Sequence, residues 1–150
     1  MRHVVRVLLL DERDRVLLFR SERREWWQPP GGAIKKREDV RAAALREIAE
    51  ETGLHAFELG AEVWSRTSAY SWKGVDIDQR ERWFVARVAS FEPDVSGLSE
   101  HETADLAEWR WWTPAELAGT TARLVPGDLA VRLRDLLEQG PPIEPIVVDL

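Results

Sequence analysis

Three glutamates in one short stretch of the sequence have the clearest potential for chemistry. Glu47, Glu50 and Glu51 lie three and four positions apart, so on a helix they share one face. Like charges at this spacing destabilise a helix by about 0.2–0.5 kcal/mol per pair, and anions near a helix C-terminus meet the negative end of its dipole. A divalent cation would turn this repulsion into attraction, and carboxylate oxygens are the ligands that Mg²⁺ prefers. We call these residues the carboxylate cluster; they indicate metal-assisted hydrolysis of a phosphate anhydride.

The same charges also allow a simpler interpretation, a solvated helix face that Arg41 and Arg46 partly neutralise. The spacing of the surrounding residues favours the first interpretation. The sequence contains Gly32, five residues, Glu38, seven residues, Arg46-Glu47-Ile48, one residue, Glu50-Glu51, one residue and Gly53-Leu54. This pattern resembles the Nudix box at all nine of its specified positions.

The resemblance implies a Nudix fold, an α/β/α sandwich around a mixed β-sheet in which the box forms a loop, a helix and a second loop. It also implies a Mg²⁺-dependent pyrophosphohydrolase, with Mn²⁺ as an alternative cofactor, that cleaves a nucleoside diphosphate derivative. The substrate classes left open are nucleoside triphosphates, dinucleoside polyphosphates and nucleotide sugars. The alternative is a non-catalytic Nudix-like module that senses a nucleotide, which the intact carboxylates disfavour.

The resemblance assigns roles to individual residues of the box. Glu47, Glu50 and Glu51 match the family's metal-binding carboxylates, and the carbonyl of Gly32 matches its backbone ligand. Arg46 resembles the arginine that orients a box glutamate.

The general base stays open between a box glutamate, Glu47, and a glutamate from a later loop. For that loop we prefer Glu102 to Glu100, because its distance before the strand predicted over residues 108–112 resembles that of the loop glutamate in related chains. A solvated loop charge is the competing interpretation of Glu102.

Three residues outside the box are predicted to bind the substrate. Arg20 lies at a strand end near the glycines and is the preferred contact for distal phosphates. Trp26 and Trp27 are adjacent in a strand, so one faces the core and the other can face the site; Trp27 is the candidate for stacking on a base. Tyr70 resembles a tyrosine of dinucleoside-polyphosphate hydrolases.

The elements that position these residues follow from apolar periodicity and breakers. Residues 3–10 and 16–20 predict a β-hairpin, and residues 39–52 predict a helix with Asp39 as its N-cap and Gly53 as its stop. Further strands are predicted over residues 57–70, 81–88 and 108–112, helices from Pro114 and from Leu129 to near Gly140, a polar loop over 91–107 and an apolar tail over 141–150 that docks on the rest.

Composition sets the remaining expectations. The chain has 150 residues, of which 44% are hydrophobic and 32% charged, as expected for a single domain over residues 1–150. The absence of cysteine and of a long apolar run predicts a cytoplasmic protein without a membrane contact, either a monomer or a homodimer. A net charge of −6 argues against stable binding to nucleic acid backbones and leaves a small nucleotide as the expected partner.

Overall fold

A computed structural model describes residues 1–97 and 106–148 of the chain. In this part, the strands are β1 (Arg2–Leu10), β2 (Val16–Ser21), β3 (Trp26–Gln28), β4 (Gly31–Ala33), β5 (Glu62–Trp72), β6 (Val75–Arg87), β7 (Leu106–Trp112), β8 (Arg123–Leu124) and β9 (Ile146–Val147). The helices are α1 (Val40–Thr52), α2 (Pro114–Gly119) and α3 (Leu129–Gln139). None of these helices is long and apolar enough to cross a membrane.

The strands form one mixed sheet in the order β8-β3-β2-β1-β6-β5-β9. Two further strands branch from it, since β4 pairs with β1 and β7 pairs with β2. The central contact is the parallel pairing of β1 with β6, which runs from Arg2 opposite Gln79 to Leu10 opposite Arg87. This branching places the glycine-rich β4 directly beside the central strand.

The two faces of the sheet pack against different helices. Successive side chains of a strand point to opposite faces, and in β1 Val5, Val7 and Leu9 join the core that contains Ala43 and Ile48 of α1. The alternate residues Leu8 and Leu10 join a second core, which includes Leu129, Leu133 and Leu136 of α3. This layering confirms the predicted α/β/α arrangement around a mixed sheet.

Helix α1 forms where its caps and its apolar stripe predict it. The side chain of Asp39 accepts hydrogen bonds from the N–H groups of Arg41 and Ala42, each at 3.1 Å, which satisfies donors that a helix start leaves free. Gly53 ends the helix with φ 77°, a left-handed conformation that glycine adopts without strain. The buried stripe includes Ala43 and Ile48.

The starts of β5 and β6 differ most from the sequence prediction. Strand β5 begins at Glu62 rather than at residue 57, because Arg41 of α1 binds the carbonyl oxygens of Leu59 and Gly60 at 2.5 and 3.0 Å. Strand β6 begins at Val75 rather than at residue 81, because the hairpin with β5 continues to its tip with alternating polar residues.

The C-terminal part agrees more closely with the prediction. Helices α2 and α3 begin at Pro114 and Leu129 as expected. Strand β7 starts at Leu106, inside the predicted loop, while residues 91–97 form neither helix nor strand. The predicted docking of the tail is seen in β9, which pairs in parallel with Trp64 and Ser65 of β5.

Candidate active site

Two adjacent glycines, Gly31 and Gly32, form what we call the glycine turn, and strand pairing fixes its position. Gly31 lies opposite Arg6 and Gly32 opposite Val5 of β1. A Cβ atom on Gly31 would lie 2.0 Å from the carbonyl oxygen of Val5, and one on Gly32 would lie 2.6 Å from the carboxylate carbon of Glu47. The absence of side chains at both positions therefore lets the turn pack against β1 and lets the Glu47 carboxylate lie directly on the turn.

Arg46 connects the acidic residues of the box. Its Nε and Nη2 donate to the two carboxylate oxygens of Glu38, each at 2.8 Å, in the bidentate geometry that suits an arginine and a carboxylate. Nη2 also donates to the carbonyl of Ala33 at 3.0 Å. Nη1 donates to Glu47 at 2.9 Å and lies 3.3 Å from an oxygen of Glu50. One guanidinium thus orients two members of the carboxylate cluster.

The third member of the cluster contacts the glycine turn. An oxygen of Glu51 accepts a hydrogen bond of 2.8 Å from the N–H of Gly31. The structure therefore gathers Glu47, Glu50 and Glu51 around the turn and Arg46. Each carboxylate has a positive or N–H partner, which offsets the repulsion expected of like charges at this spacing. Arg41 takes no part in it, since its guanidinium binds backbone carbonyls.

The donor set of the site suits a hard divalent cation. Three carboxylates and a backbone carbonyl of the turn offer oxygen atoms only, which are the ligands that Mg²⁺ and Mn²⁺ prefer. Over residues 1–97 and 106–148, no three His, Asp or Glu side chains already stand in a metal-holding arrangement. Arg46 and the N–H of Gly31 contact carboxylate oxygens that a cation would use.

Glu38 stabilises the arginine that orients the cluster. The hydrogen bond from Arg46, together with one from the N–H of Lys35, lowers the pKa of Glu38 from 4.5 to about 2. The same interaction with Glu38 raises the pKa of Arg46 above its ordinary value. Both groups are therefore charged at every pH at which the protein is expected to work.

A cavity of about 640 Å³ is lined in part by Arg6, the residue of β1 that lies opposite Gly31. Within the described chain, six arginines and one carboxylate, Glu81, contribute to its lining, so it is strongly positive although the protein is acidic. The six arginines, with which we define the arginine cavity, are Arg2, Arg6, Arg23, Arg24, Arg66 and Arg123. Arg6 joins the cavity to the turn, because it lies opposite Gly31 in the sheet.

The predicted substrate-binding residues have different positions in the structure. Tyr70 lines the arginine cavity, where its hydroxyl accepts a hydrogen bond of 2.8 Å from Arg2. Trp27 instead packs in the core against Trp112, with ring centroids 5.1 Å apart, whereas Trp26 lines the cavity. Trp26 therefore replaces Trp27 as the stacking candidate, because the register of β3 turns Trp27 inward.

Arg20 does not line the arginine cavity. Its guanidinium forms an ion pair of 2.7 Å with Glu108 of the neighbouring strand β7. Glu102 and Glu100, the predicted general-base candidates in the later loop, lie outside the described residues.

Sequence reasoning missed Arg6, Arg66 and Glu81 as residues of the site. A signal was present for Arg6, because it shares one face of β1 with Val4 and Leu8, which are both buried. Glu81 likewise shares a face with the buried Trp83. A charged residue inside a strand's apolar face indicates a partner or a ligand.

Comparisons with known proteins agree with this geometry. A family model described as NUDIX domain matches residues 1–135. A protein of Roseobacter denitrificans named RNA pyrophosphohydrolase is 38% identical over 103 residues, which are 61% of this chain and 62% of that protein, so the chain spans less than two thirds of it. A protein of the same name from Novosphingobium aromaticivorans is 32% identical over 133 residues, 77% of this chain and 80% of that protein.

Solved structures show the same fold. An Ap4A hydrolase of C. elegans in a binary complex has a TM-score of 0.66 at 18% identity, covering 92% of this chain and 98% of that chain. A MutT protein from Methanosarcina mazei Go1 has a TM-score of 0.65 at 19% identity, covering 92% and 96%. At these identities the likeness concerns the fold alone.

The ion pair of Glu38 with Arg46 predicts a defined dependence of stability on pH. Because the pKa of Glu38 falls to about 2 in the folded protein, its contribution is complete above pH 4.5, the ordinary value, and is lost as the pH falls towards 2. Denaturant unfolding of the parent and of Glu38→Gln between pH 6 and 2 should give stabilities that differ most at the upper end and converge at the lower end. Glu138→Gln, at an exposed position of α3, is the control. A constant difference across this range would contradict the assignment.

Proposed function

Because the chain belongs to the Nudix hydrolase family, we propose that it is a divalent-metal-dependent pyrophosphohydrolase that cleaves a nucleoside polyphosphate with water. The observation that carries this proposal is the carboxylate cluster, gathered on the glycine turn by Arg46 and the N–H of Gly31. A binding module has no need of oxygen donors concentrated at one backbone turn, so the non-catalytic alternative is the weaker one.

The metal is proposed to be held by Glu47, Glu50, Glu51 and the carbonyl of Gly32. Mg²⁺ is the expected ion, with Mn²⁺ as an alternative. When bound, such a cation lowers the pKa of a coordinated water and shields the charge of the phosphates.

Arg46 is proposed to act as a positioning residue. Its guanidinium holds the carboxylates of Glu47 and Glu50 through Nη1 while Glu38 fixes the other side of the fork. Glu47 lies against Gly32 and is largely buried, so it can accept a proton from an attacking water at the turn. Glu102 remains the alternative base predicted from the sequence.

The arginine cavity is proposed to hold the nucleotide. Its positive charge suits the phosphates, and Trp26 and Tyr70 offer ring faces on which a base can stack, for about 1–3 kcal/mol per base. Arg6 lies between the turn and the cavity, where it can contact the phosphate that remains on the nucleoside. This arrangement supports nucleoside triphosphates and dinucleoside polyphosphates as substrates.

The 5′-triphosphate end of an RNA is a second candidate substrate. The relatives from Roseobacter denitrificans and Novosphingobium aromaticivorans carry the name RNA pyrophosphohydrolase. Recognition of a chain end needs local positive charge rather than a basic protein, so it is compatible with the net charge of −6 and with the expected absence of stable binding to internal nucleic acid.

A turnover panel tests the proposed function. Guanosine and adenosine triphosphates, a dinucleoside tetraphosphate, a nucleotide sugar and an RNA with a 5′-triphosphate are each incubated with the protein in Mg²⁺, in Mn²⁺ and after exhaustive chelation. We expect hydrolysis of at least one substrate with metal and none after chelation. Turnover that survives chelation, or none on any substrate, would contradict the proposal.

Replacing Glu51 by glutamine separates its structural role from its proposed metal role. The amide oxygen can still accept the hydrogen bond from the N–H of Gly31, so the melting temperature without metal should change little. Loss of a charged metal ligand should lower kcat about a hundredfold or more. Glu58→Gln, an exposed carboxylate outside the box, should leave kcat unchanged. Undiminished turnover in Glu51→Gln would remove this residue from the site.

Replacing Gly32 by alanine tests the close contact with Glu47. The added Cβ would lie 2.6–2.7 Å from atoms of the carboxylate, which must move away. Since a displacement of about 1 Å in a catalytic group costs roughly a hundredfold in rate, kcat should fall by that order. Gly119→Ala, where the added Cβ meets nothing within 4 Å, is the control. Equal activity of the two variants would show that Glu47 does not act from this position.

A further inference from the structure

The floor of the arginine cavity carries three polar side chains on one face of the β5–β6 hairpin. Arg66 and Glu81 are direct cross-strand partners, and Gln79 precedes Glu81 by two residues and shares its face. All three line the cavity, and they are only 5%, 1% and 8% exposed, respectively. Polar groups buried this deeply normally find hydrogen-bond partners.

These side chains keep unused hydrogen-bonding capacity. Arg66 Nη1 donates to Glu81 Oε2, but within residues 1–97 and 106–148 the buried Nε of Arg66 has no partner. Glu81 Oε1 lies 3.7 Å from Nε of Arg6, which is longer than a hydrogen bond. The amide of Gln79 makes no hydrogen bond to any described residue. A donor and an acceptor thus stand side by side at the floor for a ligand.

The floor lies one side chain away from the glycine turn. Arg6 is opposite Gly31 in the sheet, and its guanidinium reaches to within 3.7 Å of Glu81. Gly31 in turn donates its N–H to Glu51 of the carboxylate cluster. A nucleotide whose phosphates lie at the cluster would therefore place its base in the direction of Arg66, Gln79 and Glu81.

The walls above the floor suit a flat ring. Trp26 and Tyr70 both line the cavity, and the guanidinium of Arg24 lies 5.1 and 5.0 Å from their ring centroids. The guanidinium of Arg24 is planar and lies over both rings, as a nucleobase does when it stacks on aromatic side chains.

We propose that Arg66, Gln79 and Glu81 form a base-recognition floor that selects guanine, an inference that rests on the proposed nucleotide substrate. Guanine presents the acceptor O6 beside the donors N1–H and N2–H₂. Arg66 and the Gln79 amide donate to O6, while Glu81 accepts from N1–H and N2–H₂. Adenine has a donor in place of O6 and an acceptor in place of N1–H, so it meets the floor with like groups facing each other.

A binding measurement with the unmodified protein tests this floor without requiring turnover. Guanosine, inosine and adenosine 5′-monophosphates are titrated calorimetrically in the presence of Mg²⁺. The guanosine nucleotide should bind at least about tenfold more tightly than the adenosine nucleotide, as expected for one bidentate contact. Inosine lacks the N2 amine and should lie between them. Equal affinities, or a preference for adenosine, would overturn the proposal.

Substitutions in the floor test which residues produce the preference for guanosine over adenosine nucleotides. Gln79→Leu removes an amide without a described partner, so its melting temperature should stay at or above that of the parent while the guanosine preference falls. Arg66→Met combined with Glu81→Leu removes the buried pair together and leaves no charge alone; this variant should lose the preference. Arg82→Gln is the matched control, because it breaks the ion pair with Glu62 on the same hairpin, outside the cavity. Folded floor variants that keep the parent's preference would overturn the proposal.

The two proposals fail in different ways. Selective binding of the guanosine nucleotide without turnover of any substrate would sustain the floor and reject the hydrolase. Hydrolysis of guanosine and adenosine triphosphates with equal kcat/KM, together with equal binding, would reject the floor and sustain the hydrolase.

Discussion

Three acidic side chains of the box, those of Glu38, Glu47 and Glu50, meet around one cation in this structure, the guanidinium of Arg46. It donates to Glu38, Glu47 and Glu50 from one planar group. Both oxygens of Glu38 accept hydrogen bonds from Arg46, so a rotation of the guanidinium would break two charge-assisted hydrogen bonds. The orientation of the carboxylates is therefore fixed before any metal binds.

Strand pairing in the sheet connects the glycine turn beside these carboxylates to the rest of the site. The pairing of β4 with β1 sets the glycine turn beside Arg6. The parallel pairing of β1 with β6 sets Arg6 opposite Trp83, from where its Nε lies 3.7 Å from Glu81. Strand pairing thus fixes how far the glycine turn lies from the arginine cavity. Acidic side chains predominate in the carboxylate cluster and arginines predominate in the cavity, although Arg46 lies in the first and Glu81 in the second.

The sequence predicts the features that depend on residues close together in the chain. Helix α1 follows from an apolar stripe and from the caps Asp39 and Gly53, all within one short segment. The alternation of Trp26 and Trp27 correctly predicted one buried ring and one facing outward, but the choice between them depends on the register of β3 with β2, which no local pattern fixes.

The residues that escaped prediction depend on contacts between distant parts of the chain. Arg66 and Glu81 are partners only because β5 and β6 pair as a long hairpin, and the register of that pairing is not fixed by the local pattern of either strand. The position of Arg20 near the glycines in the sequence predicts a phosphate contact, whereas its contact with Glu108 arises from the pairing of β2 with β7. Contacts of this kind follow from the topology of the sheet, which the spacing of residues in the sequence does not determine.

Electron paramagnetic resonance of bound Mn²⁺ tests most directly whether the cluster organised by Arg46 is a metal site. We expect the parent to bind Mn²⁺ with an affinity that rises when a nucleotide is present, since phosphates complete the coordination of such ions. A variant with glutamine at positions 47, 50 and 51 should lose this binding while its helix content, measured by circular dichroism, is retained. Mn²⁺ binding of equal affinity in that folded variant would contradict the account and place the metal elsewhere on the chain.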